Sequence, residues 1–287
     1  MFGLRRAGHQ VTLLAPGPSG AALVGPGPGE AQALLAFEDK DVATLFGEAV
    51  APRLRERLGA FDLAVAYTRS VELAESLSRA VARVVSQDPS PPDGAGHVSR
   101  WLLQPLTALG IPVAGDDPPV LQPTAEEDAA AAVLRGALPA RFLAVHPGSG
   151  SARKRWPADR FLRLVDGLPA GPFLLVVGPA DAEAATPLRD HPGAVIADGL
   201  PVRALGALVR QAAAFVGNDS GVTHLAAAAG APSVALFGPT DPGVWAPVGP
   251  RVRVVRAAGG RMEDLEVEVV REAVLPLLNG ASVRGAT

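Results

Sequence analysis

Short apolar runs recur along the chain, spaced so that one helix fits between each pair: VTLLAP (11–16), ALLAF (33–37), FDLAVAY (61–67) and VARVVSQ (81–87), then RFLAVHPG (141–148), FLLVVGP (173–179), GAVIADG (193–199), AAFVGND (213–219) and PSVALFGP (232–239). Near-continuous rather than alternating hydrophobicity fits strands buried on both faces, and strands separated by helical stretches form parallel sheets. The pattern therefore predicts an α/β fold. The two series are separated by GIPVAGDDPPVLQPT (110–124), rich in Pro, Asp and Gly, which predicts a linker over Ile111 to Thr124. A chain of 287 residues is long enough for two domains. We expect residues 1–124 to form one and 125–287 the other. Thr124 followed by Glu127 reads as a capping box that opens the first helix of the second domain.

Several function classes fall away on composition. The chain has no cysteine, so disulfides, thiolate metal sites and cysteine nucleophiles are all excluded. A net charge of −3 with no basic field gives no footprint for nucleic acid. The longest apolar runs are far short of the ~18 residues of a spanning helix, and Val11 to Ala15 is too short for the ~7 apolar residues of a secretion signal. A cytoplasmic location is the expectation. His9, His97 and His191 each stand alone, and His146 follows a strand where it can bond a backbone group, so no metal is assigned to them. In EDKD (38–41) the Asp-x-Asp spacing reads as a solvated turn. Trp101, Trp156 and Trp245 read as packing residues, and Met262 to Leu278 as the last helix.

Chemistry concentrates in two stretches of the second half. In VGNDSGVTHLAAAAG (216–230) an apolar strand ends in the turn NDSG, and a small-residue helix begins at Gly221. The free N–H groups of that helix make an anion site. Gly221 admits close approach by a ligand, Ser220 adds a hydroxyl, Asp219 can cap the helix or hold a ligand hydroxyl, and His224 lies one turn further on. The same turn read without a ligand is an ordinary N-cap. In HPGSGSARKRWP (146–157) a loop rich in donors, including Ser149 and Gly150, precedes Arg153, Lys154 and Arg155. Only Lys40 and Lys154 are lysines in a chain with 26 basic residues, which makes the position of Lys154 informative. Ligands of open parallel sheets bind outside the carboxyl ends of the strands, so the two loops can face one crevice. A cation there would offset charge growing on a leaving diphosphate.

HPGSGSARKRWP, VVGPADAE (176–183) and above all VGNDSGVTHLAAAAGAPSVALFGPTDP (216–242) resemble glycosyltransferase family 9, the ADP-heptose:lipopolysaccharide heptosyltransferases and their relatives, with weaker agreement in HVSRWLLQPLTALGIP (97–112). The resemblance implies a GT-B architecture, two Rossmann-like domains facing a cleft, with the nucleotide sugar held mainly by the C-terminal one. It implies that Ser149 and Lys154 contact the donor diphosphate and that Glu183 holds the ribose. It further implies that Leu200 lines the nucleobase pocket and that Asp219, Ser220, Gly221 and His224 surround the sugar and pyrophosphate. The activity implied is inverting transfer of heptose or a related sugar from an ADP-sugar to a hydroxyl of a cell-envelope glycan or glycolipid. No metal or other cofactor is implied, and the acceptor implies a peripheral contact with the inner face of the membrane.

The family opens with a strand, a Gly-rich loop and an Asp resembling the catalytic base, and these have no counterpart before LRRAGHQVTLLAP, whose start reads as the end of a helix. The base is therefore unassigned. Two readings follow: a late-started version of a full enzyme, which is the expectation because losing a central strand would expose sheet edges, or an inactive nucleotide-sugar-binding relative. A dehydrogenase is the rival from another enzyme class, but no GxGxxG follows any strand.

Overall fold

The computed structural model of the chain describes residues 4–5, 7–112, 121–169 and 171–280, and divides it into two compact units, Met1–Asp117 and Pro118–Thr287. Most of the expected linker (113–120) lies outside the described residues. Leu121 belongs with the second unit, since its N–H donates to the Ala228 carbonyl at 2.9 Å.

The first unit runs β1 (Thr12–Ala15), α1 (Gly17–Ala21), β2 (Ala33–Ala36), α2 (Lys40–Ala43), α3 (Pro52–Gly59), β3 (Ala64–Tyr67), α4 (Val71–Ser78), β4 (Val84–Gln87) and α5 (Val98–Ala108). Among the described residues its strands pair in parallel as two separate two-stranded sheets, β1 with β2 and β3 with β4. One apolar cluster, including Leu35, Leu45, Leu54, Ala66 and Leu77, draws on both pairs. Ahead of β1, Leu4 and Arg5 are helical and Gly8, at φ 85°, ends that turn. EDKD is built into local structure: Glu38 accepts the Gly17 N–H at 2.8 Å and Asp39 caps α2.

The second unit runs α6 (Ala125–Arg135), β5 (Leu143–His146), α7 (Ala158–Asp166), β6 (Phe173–Val177), α8 (Ala182–Arg189), β7 (Ala194–Asp198), α9 (Val202–Val209), β8 (Ala214–Asn218), α10 (Gly221–Ala228), β9 (Ser233–Phe237), α11 (Pro242–Trp245), β10 (Val252–Arg256) and α12 (Val267–Leu278). Among the described residues its six strands are all parallel in the order β10-β9-β8-β5-β6-β7. Alternate side chains serve opposite faces: Leu143, Val145, Leu175 and Val216 pack with Phe161, Leu164 and Val274. Ala144, Leu174, Val176 and Phe215 pack with Ala131, Leu208 and Ala226. Each such buried Leu, Val or Phe side chain contributes on the order of 2 kcal/mol, so this double-faced core fixes the strands firmly. The strand order reverses direction between β5 and β8, and the loops leaving those two neighbours open into one crevice.

One expectation needs correction, and one strand was not expected. The chain from Met262 is not continuous helix: Met262–Asp264 is a single 3-10 turn and α12 starts at Val267. The carbonyl of Leu265 accepts the Trp156 indole N–H at 2.8 Å, which breaks the helical run between them. β10 was not anticipated, because its Arg-Val alternation (VRVVR) suits a half-exposed edge strand rather than a continuous apolar run.

Candidate functional site

The loop after β5 is held by buried polar groups. Asn218, fully buried at the end of β8, accepts the Trp156 N–H at 3.0 Å and donates to the Pro147 carbonyl at 2.8 Å. That pair of bonds pins both ends of the segment 147–156. The Trp156 ring stacks edge-on against Phe161, 4.8 Å between centroids, which anchors the start of α7. Asp181 packs against the start of the loop: it accepts the Gly178 N–H at 2.8 Å, and its carboxylate lies so close that a Cβ on Gly148 would fall 2.0 Å from Oδ1. His146, also buried, bonds the Val176 carbonyl through Nδ1 at 3.1 Å, so Nδ1 carries the proton. Burial holds its pKa below the ordinary 6.5, against the opposing pull of the Val176 carbonyl and Asp181, and the ring is neutral at pH 7.

This scaffold brings most of the expected residues together around Asp219. The Ser149 hydroxyl donates to the Asp219 carbonyl at 2.8 Å. The Lys154 ammonium donates to Asp219 Oδ2 at 3.0 Å, linking residues 65 positions apart. Lys154 sits in a 3-10 turn, Ala152–Lys154, and 31% of its side chain is exposed against 10% for Asp219. The charged end of the lysine can thus leave its partner for a ligand.

Asp219 is not the helix cap. Ser220 takes that role, accepting the Thr223 N–H, and the Thr223 hydroxyl donates to the Asn218 carbonyl at 2.5 Å. With the Thr223 hydrogen committed, the Ser220 hydroxyl hydrogen is available to a ligand or to Thr223 Oγ1, 3.2 Å away. Gly150 and Gly221 both have ordinary negative φ, and a Cβ at either would meet nothing within 4 Å. Neither backbone conformation nor packing demands glycine there, and both positions border open space. His224 is half-buried in the first turn of α10.

Glu183 reaches the group through Arg155, which pairs with it at 3.6 Å and donates to the Ser149 carbonyl at 3.3 Å. Its side chain is 92% exposed. Leu200 stands apart: it packs partly buried against the core beside α9, with no polar link to the Asp219 cluster. Thr240, Asp181 and Asn218 complete the cluster beyond the expected set. The signal for Thr240 was its position just beyond β9, at the carboxyl end of the strand beside β8. Among the described residues no group of three His, Cys, Asp or Glu is placed to hold a metal ion, and no helix is long and apolar enough to cross a membrane.

Against known families, residues 71–274 match glycosyltransferase family 9 (heptosyltransferase). The chain belongs to this family. One relative, lipopolysaccharide heptosyltransferase 1 of Escherichia coli O18:K1:H7, is 30% identical over 128 residues, which span 42% of this chain and 38% of that protein's length. The family 9 glycosyl transferase from Veillonella parvula DSM 2008 matches in fold with a TM-score of 0.78 at 17% identity, covering 97% of this chain and 91% of that one. The ADP-heptose lps heptosyltransferase II of E. coli matches with a TM-score of 0.73 at 21% identity, covering 97% and 94%. The α/β, GT-B fold class expected from the sequence is therefore that of this family 9 chain.

Proposed function

We propose that this family 9 chain binds a nucleoside-diphosphate sugar, an ADP-linked heptose or a close relative, in the crevice between the β5 and β8 loops. The observation that carries this reading is the convergence of Ser149, Lys154, Ser220 and the N-terminus of α10 around Asp219. The diphosphate takes the N–H groups of α10 and the Lys154 ammonium, which exchanges Asp219 for phosphate. Glu183 takes ribose hydroxyls, Leu200 borders the base, and Asp219 and His224 face the sugar.

In the reaction an acceptor hydroxyl of a cell-envelope glycan attacks the anomeric carbon from the side opposite the diphosphate. The carbon–oxygen bond to the diphosphate breaks as the new one forms, so the anomeric centre inverts, and the hydroxyl proton passes to a base. Lys154 and the helix N-terminus offset the charge appearing on the leaving diphosphate. That fixed positive charge serves in place of a divalent ion, so chelation with EDTA is expected to leave nucleotide binding unchanged. A charged donor confines the work to the compartment that supplies it, here the cytoplasm.

The test is calorimetric titration of the cooperatively folded chain with ADP, UDP and GDP, with Lys154→Ala alongside. Removing one charge-assisted contact is expected to weaken ADP binding by about tenfold or more. Failure of a folded chain to bind any of the three overturns the reading. Binding of ADP without sugar transfer to any glycan acceptor identifies a nucleotide-sugar-binding relative instead.

A further inference from the structure

We propose that Thr240 is a positioning residue of this site: its hydroxyl holds Asp219 in place while Lys154 exchanges that carboxylate for the donor diphosphate. The inference rests on the nucleotide-diphosphate reading above and adds a residue to it. Two donors converge on one oxygen, with Thr240 Oγ1 2.8 Å and Lys154 Nζ 3.0 Å from Asp219 Oδ2.

The two donors differ in freedom. Thr240 follows β9 by three residues, and β9 is laddered to β8 through the Asp219 N–H and the Leu236 carbonyl at 3.0 Å. Its short side chain is therefore fixed relative to Asp219 by the sheet. Lys154 reaches the same oxygen on a flexible four-carbon stem that is one-third exposed. A diphosphate competes for the ammonium but has no charge-based claim on a neutral hydroxyl. When Lys154 departs, Thr240 is the donor that remains, and it keeps a nearly buried carboxylate from turning towards the incoming anion or recapturing the lysine.

The experiment is a double-mutant cycle read by ADP titration, using Thr240→Val, Thr240→Ser, Lys154→Ala and Thr240→Val with Lys154→Ala. Each protein is first shown to unfold cooperatively in urea. Loss of a hydrogen bond to a charged group predicts that Thr240→Val weakens ADP binding by about tenfold and that Thr240→Ser restores it. In the Lys154→Ala background there is no exchange to assist, so the same substitution has a smaller effect. Thr240→Ala loses the same donor without gaining a methyl, carries the same expectation, and replaces Thr240→Val should that protein not fold.

Unchanged ADP affinity in Thr240→Val, lack of rescue by serine, or an equal loss in both backgrounds overturns the proposal. Those outcomes leave the nucleotide reading standing when the unsubstituted chain binds ADP. Failure of the unsubstituted chain to bind overturns both.

Discussion

Three glycines of the candidate site fall into two kinds by what surrounds them. At Gly148 an added Cβ would sit 2.0 Å from Asp181 Oδ1, and Asp181 is held in turn by the Gly178 N–H. Gly148→Ala must push a buried carboxylate off its donor, and we expect a loss of about 1–3 kcal/mol in urea unfolding. At Gly221 and Gly150 a Cβ meets nothing. Gly221 opens α10 with helical dihedrals, so Gly221→Ala is expected to hold stability or raise it by up to ~1 kcal/mol. The same methyl would stand in the proposed diphosphate site, and ADP titration is expected to show a loss of affinity. A glycine kept only for the fold gives the reverse, with stability lost and affinity intact. Asn218 shows how much a sequence can tell about a single residue. Its place in the NDSG turn is local and readable, but its work lies in bonds to Trp156 and Pro147, more than sixty residues away.

Elements were legible where burial is two-sided. β5, β6, β8 and β9 are buried throughout, so their sequences are continuous apolar runs. β10, exposed at three of its five positions on the sheet edge, lacks that signature. The pairing of the first unit into two separate ribbons was not legible either, because strand neighbours are chosen by tertiary packing rather than by the runs themselves. The site divides in the same way. The loop and helix motifs located Ser149, Lys154, Ser220 and Gly221, while the convergence of Lys154 and Thr240 on Asp219 is a product of sheet order. The helix cap at Thr124 is local chemistry and was readable: its hydroxyl accepts the Glu127 N–H at 3.3 Å, and the Glu127 carboxylate accepts the Thr124 N–H at 2.8 Å. Glu127 also pairs with Arg203 at 2.5 Å, tying α6 to α9. Burial alone would push the Glu127 carboxyl up, but bonds from Arg203 and the Thr124 N–H hold it below the usual 4.5. Thr124→Ala removes one half of the box, and a loss of about 1 kcal/mol in urea unfolding is expected. An unchanged midpoint would mean that the Arg203 pair alone fixes α6.

The stability of the whole molecule inherits a pH dependence from one ring under the proposed site. His146 is neutral in the folded chain because its burial disfavours the imidazolium, and its Nδ1–H is spent on the Val176 carbonyl. Unfolding returns it to water, where it takes a proton below its ordinary pKa of 6.5. Between that value and the lower folded one the unfolded chain binds more protons than the native chain, so stability rises with pH across the window and is lost as pH falls. One such group gives a slope of at most ~1.4 kcal/mol per pH unit. His146→Asn keeps a donor near the Val176 carbonyl but has no proton to gain. Urea midpoints at pH 7.5, 6.5 and 5.5, followed by tryptophan fluorescence, are expected to fall with acidification in the parent chain and to fall less steeply in the variant. Equal slopes would place the acid sensitivity elsewhere.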